Sequence, residues 1–215
     1  MPRSAAESAP AHGYKSLVPI TDGQVPRRRV HRELDRALRD FPLVWVRGLP
    51  GSGKTTAVAQ WFTRARRAPG VAFWYRLDET DGDGAALFDA IRREAGPELA
   101  QVLPAWSPAH QLDLGSFARR FFHALGQAGP LRLVLDDCHR LAPDAALFAA
   151  LEALRELGRR RVQAVFISRG APPDPFELGV AGGWLGQVDD LLVDAAEAAA
   201  IARLRLGRAL TTAER

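Results

Sequence analysis

The chain has 215 residues, 47% of them hydrophobic and 25% charged, which fits one α/β domain with its own core and excludes a disordered or fibrous polymer. No apolar run approaches the ~20 residues that a membrane-spanning helix needs, and the polar start lacks a signal-peptide core, so a cytoplasmic location without membrane attachment is expected. The pI is about 9.9, yet formal net charge is only +4 and the 27 Arg and two Lys are scattered, so no direct DNA binding is expected from this segment.

In chain order, residues 1–20 read as a flexible leader, 21–194 as the main domain and 195–215 as the start of a helical or winged-helix appendage. Residues 27–40 place Val30, Leu34 and Leu38 on one helical face. The run 43–46 is apolar throughout, as a strand buried on both faces would be. It leads into a glycine loop, and 55–66 then reads as a helix with Val58 and Trp61 or Phe62 inward. A second strand, 71–77, runs into an acidic turn, and a helix follows as far as Ala95, stopped by Gly96-Pro97. Residues 97–115 look irregular. Ser116 is placed to cap a helix that buries Phe117, Phe121 and Leu125.

A third strand, 131–135, ends at Asp136-Asp137. Pro143 opens a helix with Leu147, Leu151 and Leu154 inward, closed by Gly158. The fourth strand, 162–167, ends at Ser168-Arg169. A Pro-rich loop comes next, and then a fifth strand near 188–193. Asp194 and Glu197 form a capping box that starts a helix closed by Gly207. A second box, Thr211 with Glu214, opens a helix where the sequence stops, so the segment reads as cut from a longer protein. The alternation predicts an α/β fold with a five-stranded parallel sheet and helices on both faces.

The chemistry gathers at strand ends. Gly48-Leu49-Pro50-Gly51-Ser52-Gly53-Lys54-Thr55 matches the P-loop pattern G-x-x-x-x-G-K-T between a strand and a helix. Its glycines let successive N–H groups face phosphate oxygens, and the helix N-terminus adds positive charge. Lys54 is then expected on the β- and γ-phosphates of ATP, Thr55 on Mg²⁺ and Thr56 on the α-phosphate. Where this chain wants a generic cation it uses Arg, so a lysine here points to the compact ammonium a phosphate loop requires.

Asp136 is expected to hold the Mg²⁺ shell, and Asp137 to polarise the attacking water. If the fourth strand lies between the first and third, Arg169 faces the γ-phosphate. The absence of N-K-x-D disfavours GTP. The single Cys138 excludes an internal disulfide, and no His spacing indicates a metal site built from protein ligands alone.

Taken together these residues resemble the STAND class of signal-transduction ATPases, within the ASCE-type P-loop NTPases. The likeness is greatest to the N-terminal nucleotide-binding domain of large ATP-binding LuxR-type transcriptional regulators. The motifs that carry it are Val25-Pro26-Arg27, the P-loop through Thr56, Leu77-Asp78-Glu79-Thr80-Asp81, Leu135-Asp136-Asp137-Cys138-His139 and Ile167-Ser168-Arg169. The resemblance implies a switch between ADP and Mg·ATP states, with self-association in the ATP state of the full-length protein. It also implies that Val25, Pro26 and Arg27 lie near the adenine and that Arg169 senses the γ-phosphate. Two other readings stay open on the residues: a small-molecule phosphotransferase, and a nucleotide-binding scaffold that does not hydrolyse.

Overall fold

Five apolar strands build the centre of the molecule in the computed structural model, which describes residues 14–189, 191–208 and 211. Most of the expected leader (1–13) and residues 212–214 of the second capping box lie outside the described residues.

The chain runs α1 (Arg28–Asp40), β1 (Leu43–Arg47), α2 (Lys54–Ala65), β2 (Val71–Arg76), α3 (Ala85–Glu94), α4 (Pro97–Val102) and α5 (Leu114–Gln127). It continues through β3 (Leu131–Asp136), α6 (Ala146–Leu151), β4 (Val162–Ser168), α7 (Asp174–Ala181), β5 (Leu185–Val188) and α8 (Ala195–Leu206). The sheet order is β2-β3-β4-β1-β5, with every pairing parallel.

The strands bury both faces because alternate residues enter different cores. Leu43 and Trp45 join one core, with Phe88, Phe117 and Phe121 from α3 and α5. Val44 and Val46 join the other, with Val30 and Leu34 of α1 and Val58 and Phe62 of α2. Because every pairing is parallel, all the strand C-termini lie at one edge, where an open α/β sheet holds its ligand.

Several local expectations change. Residues 97–115 are ordered as α4 and a 3-10 turn at Pro108–Asp113, because Pro97 opens a helix as readily as Gly96 closes one. The cap of α5 is Asp113, whose carboxylate accepts the Ser116 N–H, so the helix starts at Leu114 and buries it. The helix expected at Pro143 begins at Ala146 and tightens into a 3-10 segment, Glu152–Leu157.

The Pro-rich stretch contains α7, which seats the fully buried Phe176 against Trp45 and Phe166. Prolines are tolerated at a helix start, where the N–H groups have no intrahelical partner. The fifth strand is Leu185–Val188, earlier than expected. Phe41 lies so close to Gly186 that a Cβ there would approach its ring to 2.6 Å, so the glycine that weakens the strand signal is required by packing.

Candidate functional site

The glycine loop leaves β1 and wraps over the start of α2. Gly51 and Gly53 take φ of +78° and +79°, a region in which an L side chain is strained. Gly48 is needed for space, since a Cβ there would lie 3.0 Å from both the Leu191 Cδ1 and the Ser52 Oγ.

Lys54, only 8% exposed, folds back over the loop, and its Nζ donates to the carbonyls of Gly48 (2.6 Å) and Leu49 (2.9 Å). Burial first, and the Arg169 guanidinium second, hold its pKa below the ordinary lysine range. The ammonium is thus held in place without a carboxylate partner, and an arriving polyphosphate can exchange for the two carbonyls.

Thr55 Oγ1 donates to Asp136 Oδ1 at 3.0 Å, and the Asp137 N–H donates to the same oxygen at 2.9 Å. The other oxygen, Oδ2, is buried and has no hydrogen-bond partner among the described residues. A fully buried carboxylate with one orphaned oxygen beside a threonine hydroxyl is a donor set that fits a hydrated Mg²⁺.

Burial, followed by the neighbouring Asp137, pushes the Asp136 carboxyl up to about 6. A raised folded-state pKa means that the native state binds this proton more tightly than the unfolded chain does. This group's contribution to the stability of the metal-free fold is therefore fully present below pH 4, and about 3 kcal/mol of it is lost as pH rises past 6. Asp136→Asn keeps an acceptor for Thr55 and removes the buried charge. It is expected to melt several degrees above wild type at pH 7.5 without Mg²⁺, with the gap shrinking at pH 4.5. Thermal melts at the two pH values check this, and a variant melting no higher than wild type at pH 7.5 would contradict it.

Asp137 is the only non-glycine with positive φ among the described residues, at φ 60° and ψ 35°. Asp and Asn tolerate this region better than other side chains, and such backbone strain gathers at functional sites. Ser168 Oγ accepts the Gly170 N–H at 3.2 Å and shapes the turn that presents Arg169. Because β4 lies between β3 and β1, Arg169, Asp137, Lys54, Thr55, Thr56 and Pro50 line one cleft of about 320 Å³.

His139 completes that wall, with its Nδ1 buried and without a hydrogen-bond partner among the described residues. Burial first, and Arg169 second, lower its pKa and favour the neutral ring. The sequence reading assigned it no role. The buried Cys138 thiol is pushed up by burial and donates to the Leu135 carbonyl, consistent with a packing role.

The outer side of the loop borders a second cavity of about 250 Å³. Its wall includes Val25, Arg27, Ser52, Gly53 and Thr56 from the expected site, and Ile201 and Leu204 from α8. Pro26 lies outside that wall. Arg27 is buried and multiply bonded. Its guanidinium donates to the carbonyls of Ser52 (2.8 Å), Leu191 (2.9 Å) and Leu192 (3.0 Å), and pairs with Glu197 at 3.0 Å. It ties the P-loop to the first turn of α8, a link the sequence reading missed because the partners are more than 160 residues apart.

A family profile described as the AAA ATPase domain matches residues 25–167. Over 212 residues the chain is 29% identical to the serine/threonine-protein kinase PknK of Mycobacterium tuberculosis, covering 93% of this chain and 19% of that protein. Over 148 residues it is 32% identical to the HTH-type transcriptional regulator MalT of Yersinia enterocolitica, covering 66% of this chain and 15% of that protein. The chain thus spans less than a fifth of either relative. Among solved structures, Cdc6p from Pyrobaculum aerophilum aligns at TM-score 0.52 and 20% identity, over 80% of this chain and 47% of that one. The Walker-type ATPase PABY2304 of Pyrococcus abyssi aligns at 0.50 and 12%, over 89% and 60%. At those identities the likeness concerns the fold alone.

Proposed function

This chain belongs to the AAA ATPase domain family, and we propose that it is an ATP-binding, slowly hydrolysing switch module of a STAND-type signalling or transcriptional regulator. The observation that carries this reading is the convergence of Lys54, Thr55, Asp137 and Arg169 on one cleft, with Asp136 bonded to Thr55 behind it. The base of the nucleotide would enter the cavity beside Val25, Ile201 and Leu204, and its phosphates would follow the loop amides to Lys54. Thr55 and Asp136 Oδ2 would hold Mg²⁺, which neutralises phosphate charge when bound.

Asp137 takes the proton from a water whose oxygen bonds to the γ-phosphorus, while the bond from that phosphorus to the β-γ bridging oxygen breaks and releases ADP. The likeness to MalT supports a regulator, with the ATP state of a longer protein favouring self-association. A cytoplasmic location accords with this reading. Among the described residues no helix is long and apolar enough to cross a membrane.

A switch must distinguish ATP from ADP, so some group must touch the γ-phosphate alone. Arg169 occupies that position, since Lys54 and the loop amides meet the β-phosphate in both states. Arg169→Ala is expected to cost ATP roughly 1.5–3 kcal/mol, ten- to a hundredfold, while ADP affinity stays near wild type. Parallel calorimetric titrations with ADP and a non-hydrolysable ATP analogue test this. Equal losses for both ligands would make Arg169 structural and remove the basis for a nucleotide switch here.

One observation favours the phosphotransferase reading. A cavity of about 380 Å³, walled by Trp45, Phe148 and Pro173, shares His139 and Ser168 with the phosphate cleft and offers room for an acceptor. Phosphate release measured with and without small alcohols or amines separates the two: a phosphorylated acceptor establishes transfer, free phosphate alone establishes hydrolysis.

A further inference from the structure

Arg76 ends β2 and is the register partner of Asp136 across the β2–β3 pair, so both side chains leave the same face of the sheet, the α2 side. Its Nε lies 3.6 Å from Asp137 Oδ2 and its Nη2 3.9 Å from Asp136 Oδ2, the orphaned oxygen. Neither distance is a hydrogen bond, so charge alone holds the guanidinium there.

Its base, by contrast, is fixed. The Arg76 N–H donates to the Lys15 carbonyl at 2.8 Å, and the next N–H, of Leu77, donates to the Asp136 carbonyl at 2.9 Å. Lys15 is itself buried between Asp78 and Asp81. A pinned backbone thus carries a side chain that is 48% exposed and open to water. Asp136 Oδ1 already accepts two hydrogen bonds, and Lys54 is engaged with loop carbonyls. Oδ2 is the remaining oxygen for a metal's hydration shell, and Arg76 is the cation beside it.

We propose that Arg76 is a displaceable counter-ion of the Asp136–Asp137 pair, which competes with the divalent cation for these acids and so sets how tightly the chain holds metal with nucleotide. The inference rests on the Mg·nucleotide reading above. Arg76 neutralises the acids while no metal is bound, and the metal must drive it toward solvent to enter. Two cations cannot share these carboxylates cheaply, because like charges a few ångströms apart repel strongly even with partial solvent screening.

The test titrates ADP by calorimetry in EDTA and again in saturating Mn²⁺, taking the ratio of the two affinities as the metal's contribution. Arg76→Ala is expected to raise that ratio about tenfold or more, since the competing charge is gone. Arg76→Lys, which keeps the charge, stays near wild type. Arg132→Ala, a charge removed at the opposite end of β3, also stays near wild type and controls for net charge.

Equal ratios in wild type and Arg76→Ala, with ADP binding intact, overturn the proposal and leave the nucleotide reading standing. A smaller ratio in Arg76→Ala overturns it too, because Arg76 would then be organising the acids for the metal. A rise in Arg132→Ala as large as that in Arg76→Ala overturns the local competition. If the folded wild-type chain gains nothing from Mn²⁺ or fails to bind ADP, the nucleotide reading falls and this proposal with it.

Discussion

Lys54→Ala is expected to weaken ATP binding by at least a hundredfold, about 3 kcal/mol, the largest single loss at this site. A charge-assisted contact to phosphate is among the strongest polar interactions available, and here the ammonium is almost excluded from water. On the proposed reading, its position above the loop lets it meet β- and γ-phosphate together, which the loop amides cannot do. The substitution also leaves the Gly48 and Leu49 carbonyls without their lysine donor, so a modest drop in melting temperature accompanies it. Titration of a fluorescent ATP analogue measures the loss. An affinity within twofold of wild type would remove the P-loop assignment, whatever happened to the melting temperature.

Asp137→Asn separates binding from turnover. Asparagine accepts the left-handed backbone that Asp137 adopts, so the turn after β3 keeps its shape and the Asp137 N–H stays on Asp136. The carboxylate's capacity to take a proton is removed, together with its charge beside Arg76. Hydrolysis is expected to fall about 10²-fold or more while Mg·ATP affinity stays within a few-fold. Asp137→Ala is a poorer probe, because alanine resists positive φ and the β3 turn would shift as well. Phosphate release under single-turnover conditions, beside a binding titration, decides the matter. Unchanged turnover would contradict the assignment, and a selective loss of Mg²⁺ affinity would exchange the roles of Asp136 and Asp137.

Much of this was legible because it is encoded locally. The P-loop is one contiguous string, and its requirements for positive φ, close approach and a compact cation are met by glycine and lysine within eight residues. Asp136-Asp137 and Ser168-Arg169 are legible as polar residues ending apolar strands. The Asp194–Glu197 box forms as read, because its hydrogen bonds span only three residues.

Two elements differ from expectation for identifiable physical reasons. Helix α7 was hidden by prolines that read as loop but sit where a helix tolerates them. Strand β5 lies earlier than expected because Gly186, which weakens a strand signal, is there to admit the ring of Phe41 from the distant connection between α1 and β1.

The chemistry on offer is encoded in short stretches of chain: a phosphate loop, a threonine and acidic pair suited to Mg²⁺, and an arginine at the end of a strand. Those properties depend on residues adjacent in the chain, where backbone geometry fixes the spacing. Which of them meet depends on the order of the strands in the folded sheet. Inserting β4 between β1 and β3 brings Arg169 to the same cleft as Lys54 and Asp137. Pairing β2 with β3 places Arg76 beside the acids, and Arg27 reaches α8 across a separation of 170 residues. Strand order follows from how two layers of helices close over the sheet, and that is settled by packing both cores at once. No short window of sequence contains it.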